Sequence, residues 1–128
     1  METSGKINSY RDLLVWQKGM TLAKMVYKLT ARFPDSEKFG LVNQMRRAVV
    51  SVPSNIAEGQ ARQGKREFIQ FLSHAEGSLA ELDTQLLLAV ELGHCSGSDG
   101  EPLLSLITEL QKMMIALRLK LSRLAANH

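Results

Sequence analysis

Three groups of residues have the types and spacing to do chemistry. The string Gly59-Gln-Ala-Arg-Gln-Gly64-Lys65-Arg66 matches the G-x-x-x-x-G-K of a phosphate-binding loop. There, backbone N–H groups and the lysine hold phosphates, and a following Ser or Thr hydroxyl binds Mg²⁺. Arg66 stands where that hydroxyl is needed, and the string follows a helical pattern rather than a strand. It reads as a Gly-bounded turn between two helices. Glu91-Leu-Gly-His94 has the Glu-x-x-His spacing of di-iron bundles, which need a second such pair and two further inward Glu; no second pair exists. Cys95 adjoins His94, but one thiol and one imidazole do not make a zinc site, and a Gly/Ser loop offers no scaffold for orienting a nucleophile. His74 falls among polar positions as a solvated or interface residue, and His128 is the last residue. There is no G-x-S-x-G or H-E-x-x-H motif. The expectation is a non-enzyme with no metal and no cofactor.

The third group is basic: Lys18, Lys24 and Lys28, then Arg46 and Arg47, then Arg62, Lys65 and Arg66. Clustered Lys and Arg hold phosphates by counterion release without reading bases. An ordinary solvated surface uses the same residues. Arg47 falls opposite the apolar face of Leu41, Val42, Met45, Val49, Val52 and Ile56 and should point outward. Arg46 sits at the edge of that face, where a packing or ion-pair role competes with ligand binding.

The elements that must position these residues are four helical patterns. The first covers about 11–32 and stops at Phe33-Pro34, since proline cannot continue a helix and restricts its predecessor. The second covers about 36–59, with Pro53 inside it. The third covers about 64–92; Glu67 can reach back to its first turn, and Gly93 suits a left-handed helix end. Residues 94–101 read as a flexible loop. Pro102 suits the first position of a fourth helix, over about 102–125. Residues 1–9 read as a disordered tail. No period-2 alternation marks a strand. Short connections make successive helices antiparallel neighbours. The fold class is therefore all-α, an antiparallel up-down-up-down four-helix bundle, with 1–128 as a single domain.

The third helix has one apolar face: Phe68, Phe71, Leu72, Ala75, Leu79, Leu82, Leu86, Ala89 and Val90. The first helix has two. Val15, Leu22, Met25, Val26 and Leu29 form one stripe, and Leu13, Trp16, Met20 and Tyr27 form another. The second stripe is either a wider core contact or a subunit interface, where aromatic and Met side chains are enriched.

Charge is distributed unevenly. The net formal charge is +3, but residues 1–66 carry twelve Lys/Arg against five Asp/Glu, while residues 67–101 carry seven Asp/Glu and no Lys/Arg. Such a split suggests a partner surface, for a polyanion or for a second copy meeting acid with base. Glu76, Glu81 and Asp83 are the acidic interface candidates. Exchanging Glu81 and Asp83 for Lys is expected to loosen an assembly built that way.

Composition excludes several classes. With 128 residues, 45% hydrophobic and three Pro, the chain can build a core and is not disordered or collagen-like. One Cys cannot staple a secreted scaffold. The polar start has no apolar core of signal-peptide length, so no signal peptide is expected, and no run of about 18 apolar residues is present to span a membrane. A cytoplasmic location is expected.

Several strings then carry a family resemblance: Leu14-Val-Trp-Gln-Lys18, Phe33-Pro34, Phe39-Gly-Leu41, Gln44 with Arg46-Arg47-Ala48, Ser51-Val-Pro-Ser-Asn-Ile-Ala-Glu-Gly59, Glu67-Phe68, and Gly77-Ser78. In order and spacing the chain resembles the four-helix-bundle proteins encoded in intervening sequences of bacterial 23S ribosomal RNA genes. The resemblance covers about residues 10–93, and the loop after Gly93 departs from it. It implies ring-shaped homo-pentamers. Through a related branch, the accessory protein of diversity-generating retroelements, it also implies binding of nucleic acid and of a reverse transcriptase. It implies no enzymatic activity. It flags Arg46, Arg47, Asn55, Glu58 and Gly59. Beside Pro53, Asn55 is expected to hydrogen-bond near the break, Glu58 to cap the next helix or pair across a subunit boundary, and Gly59 to end the helix. The function expected is RNA-favouring, sequence-independent binding through phosphates by a homo-oligomer. The alternative is a scaffold that docks a protein partner and touches nucleic acid little. Metal or thiol chemistry at Glu91, His94 and Cys95 ranks third.

Overall fold

The computed structural model describes residues 9–126. The helices are α1 (Leu14–Thr30), α2 (Leu41–Ala61), α3 (Lys65–Glu91) and α4 (Gly97–Ala126). Single 3₁₀ turns at Tyr10–Asp12 and Asp35–Glu37 precede α1 and α2. Among the described residues there is no strand, and no helix is long and apolar enough to cross a membrane. The expected tail over 1–9 lies outside the described residues apart from Ser9. Ser9 is ordered as a cap, its Oγ accepting from the Arg11 N–H while its own N–H donates to Asp12.

Each helix packs on two neighbours: α1 on α2 and α4, and α3 on α2 and α4. Contacts descend in one helix as they rise in the next. Gly19 meets Pro53 while Thr30 meets Arg46. Gly59 meets Phe71 while Ser51 meets Ser78. Lys18 meets Glu109 while Arg32 meets Asp99. The neighbours therefore run antiparallel. The core is the line of side chains that all four periodicities bury. It includes Leu22, Val26, Met45, Val49, Ile56, Leu72, Leu79, Leu86, Ile107, Leu110 and Met114, all fully enclosed.

Helix boundaries correct the sequence expectation in three places. Residues 36–40 are not part of α2, because Glu37 is used as a cap from outside: its Oε1 accepts the Leu41 N–H at 3.1 Å. Gly59 does not end α2, which runs on to Ala61. The positive φ of that turn falls on Gln63, at 66°. The fourth helix starts at Gly97 rather than Pro102, so most of the expected flexible loop is helical. Ser96 caps it, with Oγ accepting the Asp99 N–H at 3.0 Å, and Gly100 is buried beneath Val90 and Leu86. Gly93, at φ 79°, ends α3 as expected.

Candidate nucleic-acid interface

The eight basic candidates do not form one patch. Arg46 and Arg47 lie near the start of α2, whereas Arg62, Lys65 and Arg66 lie at its far end and at the start of α3. Sixteen residues of helix put about 24 Å between the two groups. Two members are spent on partners in the same chain. Lys18 Nζ pairs with Glu109 at 2.9 Å, and Arg62 pairs with Glu58 at 2.9 Å while lying over the Phe71 ring. Glu58 is thus an i,i+4 ion-pair partner within α2, not a cap for α3. Lys24 is exposed on α1, and Lys28 lines the α1–α4 groove with Arg32 and Asp99. Lys65 and Arg66 are exposed.

Arg46 is the exception in geometry. Its Nε donates to Thr30 Oγ1 at 3.0 Å, and its Nη2 to the Tyr27 carbonyl at 3.3 Å. Its guanidinium lies 4.5 Å from the Tyr27 ring centroid, as a cation–π pair. The Thr30 hydroxyl is buried and itself donates to the Val26 carbonyl at 2.7 Å. That chain of bonds fixes the half-buried guanidinium at the α1–α2 seam and uses two of its five N–H donors. The Lys and Arg ion pairs among the described residues involve Lys18, Arg32, Arg62 and Arg118. Arg46 and Arg47 are in none. Together with Tyr27, Asn43, Val50 and Ser51 they line a groove of about 540 Å³. This arrangement can hold an anion: one guanidinium is fixed and the next is free to adapt.

The interface candidates also divide. Leu13 is a core residue, 6% exposed, because it ends the turn that carries α1 into the bundle; it is not available to a second subunit. Trp16 is half-buried with its ring edge-on to Tyr10 at 5.4 Å. Met20 and Tyr27 are exposed. With Val50, Pro53 and Ala57, Trp16 and Met20 line a shallow apolar depression between α1 and α2. The three acids of α3 do not all share a face. Glu76 is bound within the chain by Arg118, whose Nε lies 2.6 Å from its carboxylate; this pairing holds the Arg118 pKa above its usual value. Glu81 lines the α2–α3 groove with Arg47, Ser51 and Ser78. Asp83 lies seven residues, two turns, beyond Glu76 and so toward its side of the helix. Asn55 behaves as expected: its Nδ2 donates to the Ser51 carbonyl at 2.7 Å, two residues before Pro53.

At the same end of the bundle as Arg46, His94 Nε2 donates to Glu37 Oε2 at 3.1 Å, and its ring meets Phe33. The Leu41 N–H, then this imidazole, hold the Glu37 carboxyl below its ordinary range. Partial burial, then Asp99, push the Cys95 thiol up, toward the unreactive protonated form. Among the described residues no three His, Cys, Asp or Glu side chains are grouped to hold a metal ion.

Sequence reasoning missed Lys38 and Phe39. Placing them inside a helix hid the fact that Phe39 is 86% exposed, with the Lys38 ammonium 5.6 Å from its ring. The signal was Glu37 four residues before Leu41, followed by Gly40, which together mark a cap rather than a helix interior.

Comparison with known proteins completes the picture. A protein of unknown function from the S23 ribosomal protein family of Bacteroides thetaiotaomicron VPI-5482 is similar in structure, with a TM-score of 0.74. It is 23% identical, over 82% of this chain and 98% of that one; at that identity the likeness is one of fold. No curated protein matches. The family model described as 23S rRNA-intervening sequence protein matches residues 11–116, a span that holds the α1–α2 seam and its arginines, and the chain belongs to that family.

Proposed function

We propose that this chain is a non-enzymatic, ring-forming homo-oligomer that binds nucleic acid, RNA in preference, through its phosphates. One observation carries the reading: Arg46 is locked in place by Thr30 and Tyr27 with no acid to neutralise it, beside an unpaired Arg47. A guanidinium held without a carboxylate is prepared for an anion from outside.

Assembly is supported by apolar surface left unpartnered on two different sides. The Trp16–Met20–Val50 depression lies between α1 and α2, while Leu87, Leu88 and Leu92 are exposed on α3 and Ile115 and Leu119 on α4. Unlike apolar surfaces on different sides of the bundle suit the heterologous contacts that close a ring. The same exposed leucines favour a second reading, a scaffold that docks a protein partner.

The test is binding of labelled structured RNA, single-stranded RNA and duplex DNA across a salt series, with oligomer mass measured on the same sample. Affinity should fall steeply with salt, and Arg47→Ala should weaken every ligand alike and flatten the logarithmic salt slope by about one unit. No binding at low salt by an intact oligomer would remove this reading and leave the scaffold.

A further inference from the structure

We infer that the end of the bundle around Arg46 is a track for an unpaired stretch of nucleic acid, with bases stacked on Tyr27 and Phe39 and phosphates held by Lys38, Arg46 and Arg47. The inference rests on the nucleic-acid reading above and goes past it, because a phosphate clamp alone does not distinguish one strand from two.

The aromatic side chains carry the argument. Phe33 is buried, and Tyr10, Trp16, Phe68 and Phe71 are half-buried. Phe39 at 86% and Tyr27 at 44% exposure are the two with open ring surface. Each has an unneutralised cation against it: Lys38 on Phe39 at 5.6 Å and Arg46 on Tyr27 at 4.5 Å. Alternating rings and cations are how single strands are gripped, since every base has a face to stack and every link has a phosphate. A duplex has its bases stacked on one another and offers an exposed ring nothing comparable.

The pieces are continuous. Arg46 lines the groove that holds Tyr27, Asn43 and Arg47, and also the neighbouring groove that holds Pro34, Val42 and Lys38. Arg46 is therefore the wall shared by the groove at Tyr27 and the groove lined by Lys38, the cation against Phe39. Its bonds to Thr30 and to the Tyr27 carbonyl keep it there, 4.5 Å from the Tyr27 ring centroid, while the ring remains 44% exposed. Asn43 adds an amide donor and acceptor for a base edge. Two carboxylates oppose the ligand: Asp35, exposed on the rim of the Lys38 groove, and Glu81, which shares a groove with Arg47. The nearby Glu37 carboxylate is already held by the Leu41 N–H and His94.

The experiment uses the full chain, with a short labelled RNA of mixed sequence as the probe, alone and annealed to its complement. Helix content and oligomer mass are recorded for every variant. Phe39→Ala should weaken single-strand binding about tenfold or more and leave duplex binding unchanged, whereas Tyr27→Ala, which also removes the ring against Arg46, should weaken the single strand about tenfold or more and the duplex by clearly less. Tyr27→Phe and Phe39→Trp should keep wild-type affinity, and Asp35→Asn should tighten both ligands. Equal losses on both ligands, or no loss from either alanine variant, would overturn the track. So would a loss that coincides with a fall in oligomer mass, since the rings would then be subunit contacts. If the unmodified protein binds neither probe, the nucleic-acid reading itself fails. If it binds both and responds to Arg47→Ala but not to the aromatic variants, the stacking alone fails.

Discussion

The backbone of Gly59 lies against the side chain of Phe71: a Cβ at position 59 would stand 2.6 Å from the Phe71 Cβ and 3.0 Å from Phe68 Cδ1. Neither α2 nor α3 can yield there, because a Cβ moves only with its own backbone. Gly59 is buried in the last turns of α2, so its lack of a side chain sets the distance between the two helices. Gly59→Ala should therefore destabilise the protein by about 1–3 kcal/mol, as overpacking of a fitted core does. Gly77 is the control. It is exposed inside α3, and a Cβ there meets nothing within 4 Å. Gly77→Ala should stabilise by about 0.5–1 kcal/mol through helix propensity. Urea unfolding of both variants checks the pair; a neutral Gly59→Ala would mean that α3 can move away freely.

Glu37 ties the start of α2 to the α3–α4 connection, and it makes that tie sensitive to acid. Its carboxyl is held below the ordinary 4.5 by the Leu41 N–H first and His94 second. As pH falls, the unfolded chain takes up this proton before the folded one does. The stability these contacts give is thus present above about pH 4.5 and lost as pH falls through the folded value. Glu37→Gln keeps an acceptor for Leu41 but has no proton to gain. Between about pH 5 and pH 3 the melting temperature of the variant should fall less steeply than that of the wild type. Parallel curves would show that Glu37 contributes nothing to the acid response.

What could be read from the sequence follows the range of each interaction. The buried face of α3 from Leu72 to Ala89 was legible because helical periodicity is local. So was Gly93, whose left-handed conformation depends on its immediate neighbours. The start of α4 was legible in principle, since Ser96 and Asp99 form a cap signal, but Pro102 outweighed it. Pro102 is the sixth residue of α4, past the first turn where proline fits best, so it removes one backbone bond there without stopping the helix and does not mark its start. The partners of Lys18 and Glu76 are Glu109 and Arg118, on a helix distant in sequence; no spacing rule pairs them. The same holds for Arg46. Its edge position was predictable, but its anchoring by Thr30 exists only once α1 and α2 pack.

Gln85 offers a test of the core itself. It is 7% exposed among the leucines of α3, and its Oε1 has no hydrogen-bond partner among the described residues. Its Nε2 reaches Glu81 Oε2 only at 3.5 Å, too long to offset much of the desolvation of the amide. A buried acceptor left unmade costs about 1–3 kcal/mol. Gln85→Met removes that acceptor, keeps the chain's length and fills the space with a flexible apolar side chain. It should raise stability by about 1 kcal/mol in urea unfolding. A loss of similar size would identify Gln85 as a residue whose amide is satisfied in solution, and would assign it a role in fixing α3 against its neighbours rather than a cost the core tolerates.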